Sequence, residues 1–110
     1  MRLKTHSSIP GNHLGDLSVF LHQIYVQHKH CDFFINEYQN AFNYCVNSQH
    51  ISLHPITIKK NNQIIGHVAL ILDDRLKQGE AFFGFFELTD DPVVFKKLWH
   101  QLTALATKNN

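Results

Sequence analysis

Two strand-forming runs joined by only two asparagines lie in the middle of the sequence and restrict its fold most strongly. The first run covers residues 51–60 and the second covers residues 63–72, where it ends in a continuous apolar stretch. Asn61-Asn62 joins them, and asparagine adopts the positive φ of a two-residue turn more readily than most residues. The segment is therefore predicted to be an antiparallel hairpin, in which Gly66 marks a bulge.

Apolar residues at helical spacing flank this hairpin on both sides. A first helix is expected to end near His30, and a second helix is expected to begin at a cap formed by Asp32 and to end at Asn47. Asp91 and Pro92 are typical of the N-cap and the first position of a third helix. The predicted stripe of the first helix is Leu14, Leu17, Leu21, Ile24, Tyr25 and His28, with Phe20 beside it. The predicted stripes of the other two are Phe34, Tyr38, Ala41, Phe42 and Cys45 in the second helix, and Phe95, Leu98, Trp99, Leu102, Leu105 and Ala106 in the third.

Two further strands complete the predicted fold. Residues 2–8 are predicted to form the first strand, and Ala81–Leu88 the last, with phenylalanines on both faces. The order strand, helix, helix, three strands, helix indicates an α+β fold with a mostly antiparallel four-stranded sheet and three helices. A chain of 110 residues, 44% of them hydrophobic, suits a single domain over residues 1–110.

The charge balance and the chain's first residues exclude several classes of protein. Ten basic and nine acidic residues give a net charge of +1, which provides no electrostatic footprint for a nucleic acid or a membrane surface. No apolar run approaches the roughly 20 residues that span a bilayer, and residues 1–6 lack the apolar stretch of a signal peptide. A cytoplasmic location is expected. Cys31 and Cys45 would lie roughly 21 Å apart on one helix, beyond the reach of a disulfide, and are expected to be free thiols.

The nine histidines leave open a different kind of site. His28 and His30 would approach His50 and His54 if the end of the first helix met the start of the hairpin. Structural zinc usually takes four ligands, commonly including paired cysteines, and no such pair is present. No metal ligand is therefore assigned. A histidine-based metal-binding or pH-responsive module is kept as an alternative, because many histidines make the surface charge sensitive to pH.

Four stretches follow one another along the second half of the chain: Gly66–Leu72, Asp74–Leu76, Phe82–Glu87 and Asp90–Pro92. Together with the order of elements they resemble the acetyl-CoA-dependent N-acetyltransferase (GNAT) superfamily. The resemblance is to a bacterial subfamily whose fourth strand reads Phe-Phe-Gly-Phe-Phe-Glu. It extends over most of residues 14–110 and is strongest over residues 63–95. It implies that this chain corresponds to the N-terminal half of a GNAT-like domain and ends before the fifth strand.

The resemblance also implies where an acyl-CoA would bind if the fold were completed. In family enzymes the fourth strand can supply the general base that deprotonates the substrate amine, and Glu87 is the carboxylate in that position. The alternative for Glu87 is a strand-end carboxylate that faces solvent or pairs with a lysine. Phe85, Phe86, Glu87 and Leu88 are the candidate cofactor contacts.

The segment that would hold the cofactor's pyrophosphate departs from the family pattern. Residues 88–94 contain no glycine, Pro92 lacks an N–H donor, and Asp90 and Asp91 would repel a phosphate. This segment is therefore predicted to be a helix start rather than a phosphate site.

These observations lead to three functional hypotheses. The first is a GNAT-like protein that is not catalytic as an isolated chain, holds no cofactor, and acts as a binding or oligomerisation module. Its strand 81–88 would have an unpaired edge rich in phenylalanine, which a homodimer or a tightly bound partner chain would cover. The second is the N-terminal half of an acetyl-CoA-dependent N-acyltransferase, completed by further residues or by a partner. The third is the histidine-based module.

Overall fold

The computed structural model describes residues 2–5, 13–27 and 29–109. Its elements are β1 (Arg2–Thr5), α1 (His13–Ile24), α2 (Cys31–Asn47), β2 (Ile51–Lys60), β3 (Gln63–Asp73), β4 (Phe82–Leu88) and α3 (Pro92–Lys108). The strands pair antiparallel in the order β1-β2-β3-β4, and most of the sheet is formed by β2, β3 and β4, because β1 has only four residues. The predicted α+β class and the order of elements are confirmed. Of the predicted first strand, residues 6–8 lie outside the described residues.

The turn between β2 and β3 has the conformation that its two asparagines predict. Asn61 and Asn62 have φ angles of 53° and 63°, both in the left-handed region that a tight hairpin turn requires. The pairing register shifts between Ile58 and Lys59, at the point where Ile58 opposes Gly66. The predicted hairpin and its bulge are therefore confirmed.

The helices cover both faces of the sheet and divide the core into two clusters. On one face α1 and α2 pack against the sheet, and this cluster contains Leu17, Phe20, Leu21, Ile35, Phe42, Leu53, Ile64 and Ala69. On the other face α3 packs against Ile56, Ile58, Val68 and Leu70 through Val94, Leu98 and Leu102. Gly66 allows α3 to approach closely, since a Cβ atom there would lie 2.6 Å from Cγ1 of Val94.

Two of the predicted helix boundaries are wrong. Helix α1 ends at Ile24 instead of near His30. Tyr25 still packs against the core, but the next residue, Val26, is exposed and the chain turns toward α2. Helix α2 begins at Cys31, its N-cap residue is His30, and no side chain caps it. Asp32 lies in its first turn, where a carboxylate still favours the helix dipole.

The buried stripe of α2 is rotated from the predicted one. Ile35 and Phe42 are its buried residues, whereas Phe34 and Ala41 are exposed. The packing line thus follows positions three and four residues apart from Ile35 through Tyr38 to Phe42. Periodicity alone did not distinguish Phe34 from its neighbour Ile35, because both are large and apolar.

The stripe of α3 is rotated in the same way. The predicted Leu98 and Leu102 are buried, but Val94 completes the buried line in place of Phe95 and Trp99, which are 46% and 43% exposed. The buried line lies over Gly66 of β3, where an added Cβ atom would lie 2.6 Å from Cγ1 of Val94 and 3.0 Å from Cδ1 of Leu98. Within the described part of the chain, no helix has both the length and the apolar character needed to cross a bilayer.

Candidate functional site

Strand β4 contains a bulge that sets the direction of its side chains. The pairing register shifts between His67 and Ala69 of β3, and there Phe85 and Phe86 of β4 oppose a single residue. Phe85 has a φ of 55°, a left-handed conformation that bulky residues rarely adopt. The extra residue lets Phe83 and Phe86 face the same side of the sheet, with ring centroids 5.9 Å apart.

Two buried histidines lie on the face of the sheet that α1 and α2 cover, and one of them, His67, bonds to the bulge. Nδ1 of His67 lies 2.9 Å from the carbonyl oxygen of Phe85, and its Nε2 lies 3.1 Å from Nε2 of His13. A carbonyl only accepts, so Nδ1 of His67 carries the proton, and Nε2 accepts from the Nε2–H of His13. Both rings pack against Phe42. Burial, reinforced by the neighbouring His13, lowers the pKa of His67 to about 4, although its bond to Phe85 opposes the shift.

Glu87 lies on the same face and borders a small pocket. The pocket has a volume of about 130 Å³ and is lined by Leu21, Tyr25, Phe34, Ile35, Tyr38 and Glu87. The hydroxyl of Tyr25 donates to Oε1 of Glu87 over 2.7 Å. Burial raises the pKa of Glu87, while the bond from Tyr25 lowers it in part. Glu87 is thus neither a solvent-facing carboxylate nor one paired with a lysine, because it is half-buried and its hydrogen-bond partner is a phenol.

The surroundings of this pocket raise the pKa values of its two tyrosines. Burial and the hydrogen bond to Glu87 raise the pKa of Tyr25 to about 12. Burial, with the charge of Glu87 nearby, raises the pKa of Tyr38 far above its ordinary value. The hydroxyl of Tyr38 is buried and has no hydrogen-bond partner among the described residues. Both phenols therefore remain protonated at neutral pH.

The other candidate cofactor contacts do not form one group of side chains. Phe85 packs toward α2, with ring centroids 5.1 Å from Tyr38 and 5.2 Å from Phe42. Phe86 and Leu88 pack on the opposite face, with the cluster under α3. The four residues share the backbone of β4, but their side chains lie on both sides of the sheet.

On the α3 side, four aromatic rings form a continuous surface beside β4, here called the edge patch: Phe83, Phe86, Phe95 and Trp99. Ring centroids are 5.6 Å apart for Phe83 and Trp99, and 5.8 Å apart for Phe86 and Phe95. Phe95 and Trp99 stack with an interplanar angle of 3°. Exposed fractions are 50% for Phe83, 46% for Phe95 and 43% for Trp99, so the patch is accessible despite its internal contacts.

The segment between β4 and α3 is a helix start, as predicted. Oδ1 of Asp91 accepts from the backbone N–H of Val93 over 2.9 Å, and Pro92 is the first residue of α3. The backbone N–H of Thr89 is already bonded to Ile65. The open groove at this place is lined by Asp90 and Asp91, so its charge does not fit the pyrophosphate of a coenzyme A.

The described histidines among those considered as metal ligands make different local contacts. Nδ1 of His50 lies 2.9 Å from Oδ1 of Asp74, and His54 bonds to Ser52 over 2.8 Å. His30 is at the N-cap of α2, and His28 lies outside the described residues. Over residues 2–5, 13–27 and 29–109, no three histidine, cysteine or acidic side chains come together as a metal site.

Sequence reasoning identified Glu87 but did not identify its partners or the histidine pair. Tyr25 lies 62 positions from Glu87, and His13 lies 54 positions from His67. No local pattern connects residues so far apart. The one available signal was a polar His67 within the apolar run of β3, because a histidine there requires a partner when it is buried.

Comparison of the chain with protein-family models, with curated proteins and with solved structures finds no match in any of the three.

Proposed function

We propose that the chain is an association module that pairs with a second copy of itself along β4 and the edge patch. The observation that carries this proposal is that an accessible aromatic surface adjoins the free edge of the sheet. In the part of the chain that is described, β4 is the last strand of the order β1-β2-β3-β4. Contiguous exposed aromatic surface beside an open edge is typical of protein interfaces.

The composition of β4 supports pairing with an identical strand. Residues 82–86 carry no charge, and the carboxylate of Glu87 accepts the hydrogen bond from Tyr25 on the opposite face from the edge patch. In a two-fold contact the same surface meets itself, so a charged edge would oppose like charges. Here two neutral aromatic surfaces would meet, and that arrangement costs no charge repulsion.

Sedimentation velocity over a range of concentrations tests this proposal. The unmodified chain is expected to form a dimer. Phe83→Lys and Trp99→Glu each place a charge in the edge patch and are expected to raise the dimer dissociation constant by at least about tenfold, or 1.4 kcal/mol.

Tyr44→Glu and Phe33→Lys are matched controls, because both residues are exposed aromatics on α2, with exposed fractions of 68% and 64%. These variants are expected to dimerise like the unmodified chain. A chain that stays monomeric at high concentration, or a dimer that both edge-patch variants leave intact, would refute the proposal.

A completed N-acyltransferase is the second candidate, and the state of Glu87 favours it. A carboxylate whose pKa is raised by burial and whose position is held by Tyr25 has the character of a general base. The residues at the start of α3 do not fit the pyrophosphate, so this candidate requires a partner to hold acetyl-CoA. Calorimetric titration with acetyl-CoA tests whether the chain alone binds it. Because the partner is missing, no heat of binding is expected from the chain alone, and clear heat of binding would contradict the need for a partner.

A further inference from the structure

The pocket at Glu87 has the size of a site for a small organic molecule. Its volume is about 130 Å³, and an apolar cavity of about 150 Å³ accepts benzene. A group that the pocket encloses fully can therefore have at most about five or six non-hydrogen atoms. The pocket lies between α1, the first half of α2 and β4, on the opposite face of the sheet from the edge patch.

Glu87 gives this pocket a negative charge that no ion pair among the described residues neutralises. The carboxylate is half-buried, and Tyr25, which donates to it, is a neutral phenol with a raised pKa. None of the ion pairs of the described residues includes Glu87. A half-buried carboxylate is normally compensated by a cation, because burial without one disfavours its charged form.

The walls of the pocket suit a cation covered with apolar groups. Tyr25 and Phe34 present nearly parallel rings, with centroids 6.3 Å apart and an interplanar angle of 19°. Tyr38 adds a third ring, and Leu21 and Ile35 add aliphatic surface. Aromatic faces attract cations, and quaternary ammonium groups are recognised by several rings together. A bare ammonium, in contrast, needs three hydrogen-bond acceptors to replace its water.

We propose that the pocket formed by Tyr25, Phe34, Tyr38 and Glu87 binds the methylated ammonium group of a small organic cation. Glu87 supplies the counter-charge, and the rings contact the methyl groups. The proposal does not depend on dimerisation, since the pocket and the edge patch lie on opposite faces. It is also distinct from catalysis, because a quaternary ammonium has no proton for Glu87 to remove.

Titration with tetramethylammonium chloride, followed by backbone amide NMR at constant ionic strength, tests the proposal. We expect saturable shifts confined to residues around the pocket. Tert-butyl alcohol, which has a similar shape without the charge, is expected to bind at least about tenfold more weakly. Methylammonium is expected to bind several-fold more weakly than tetramethylammonium, because it loses methyl contacts and retains its demand for acceptors.

Two variants test the assignment of the charge. Glu87→Gln keeps the volume and an acceptor for Tyr25, and it is expected to weaken tetramethylammonium binding at least about tenfold. Asp90→Asn removes an exposed carboxylate that does not line the pocket, and it is expected to leave binding unchanged. Thermal melting checks that both variants are folded. Equal binding of tert-butyl alcohol, stronger binding of methylammonium, unchanged binding to Glu87→Gln, or the absence of saturable shifts would each overturn the proposal.

Discussion

Acidification is expected to destabilise the fold through the buried His67. The folded chain holds this imidazole neutral, with a pKa of about 4, whereas an unfolded histidine has its ordinary value of 6.5. Below pH 6.5 the unfolded state therefore binds a proton that the folded state does not. The free energy of unfolding is unaffected well above pH 6.5, falls as the pH falls below it, and levels off below about pH 4.

The two pKa values set the magnitude of this loss. A difference of about 2.5 pKa units corresponds to about 3 kcal/mol over the whole range, and about 2 kcal/mol of it is lost between pH 7 and pH 5. A domain of this size typically has a stability of about 5–15 kcal/mol, so the effect is a substantial fraction of the total. Charging His67 would also place a second donor opposite Nε2 of His13 and break the present arrangement of their hydrogen bond.

Urea unfolding of the unmodified chain and of His67→Asn at pH 7 and pH 5 measures the effect. Asparagine can still donate to the carbonyl of Phe85 but does not titrate. The variant is expected to be less stable at pH 7 and to lose about 2 kcal/mol less than the unmodified chain on acidification. His100→Asn removes an exposed histidine of α3 and is expected to leave the pH dependence unchanged.

The same pKa can be followed directly by NMR of the His67 ring in the unmodified chain. That measurement does not require the variant to fold. An imidazole that titrates near 6.5, or an identical pH dependence for the unmodified chain and His67→Asn, would refute the reasoning.

Three further changes test other contacts of the fold. Gly66→Ala places a Cβ atom 2.6 Å from Val94 and is expected to cost about 1–3 kcal/mol in urea unfolding; a cost that is the same in a Val94→Ala background would contradict this contact. Asp91→Ala removes the cap of α3 and is expected to cost about 1 kcal/mol, whereas Asp91→Asn should cost less. Tyr25→Phe removes the hydrogen bond that lowers the pKa of Glu87, so the pKa of Glu87 is expected to rise in a carboxyl NMR titration; a fall would exclude this role of Tyr25.

Local sequence rules predicted the parts of the fold whose causes are local. The turn at Asn61-Asn62 depends on two residues that tolerate positive φ, and the start of α3 depends on Asp91 and Pro92 within one turn of helix. The faces of α2 and α3 were predicted less well. In each helix two adjacent large apolar residues compete for the buried line, and the sheet beneath decides between them. For α3 that decision depends on Gly66, which lies about 30 positions away in the chain.

The chemistry of the candidate site could not be predicted from local sequence either. Glu87 was identified because it is the carboxylate of β4, but its chemistry depends on Tyr25 and Tyr38, which approach it only after α1 and α2 fold onto the sheet. A carboxylate beside apolar neighbours in the sequence can end in solvent or in a pocket. Only the tertiary arrangement decides which.

The bulge at Phe85 explains how one short strand serves two different surfaces. In a regular strand Phe83 and Phe86 would face opposite sides, because side chains alternate with a period of two. The extra residue places both on the α3 side, where they join the edge patch, and leaves Phe85 and Glu87 on the side of α1 and α2. The left-handed φ of Phe85 is thus a local cost that places the edge patch and the Glu87 pocket on opposite faces of the sheet. His67 stabilises the bulge, because its buried Nδ1–H donates a hydrogen bond to the Phe85 carbonyl that the bulge presents.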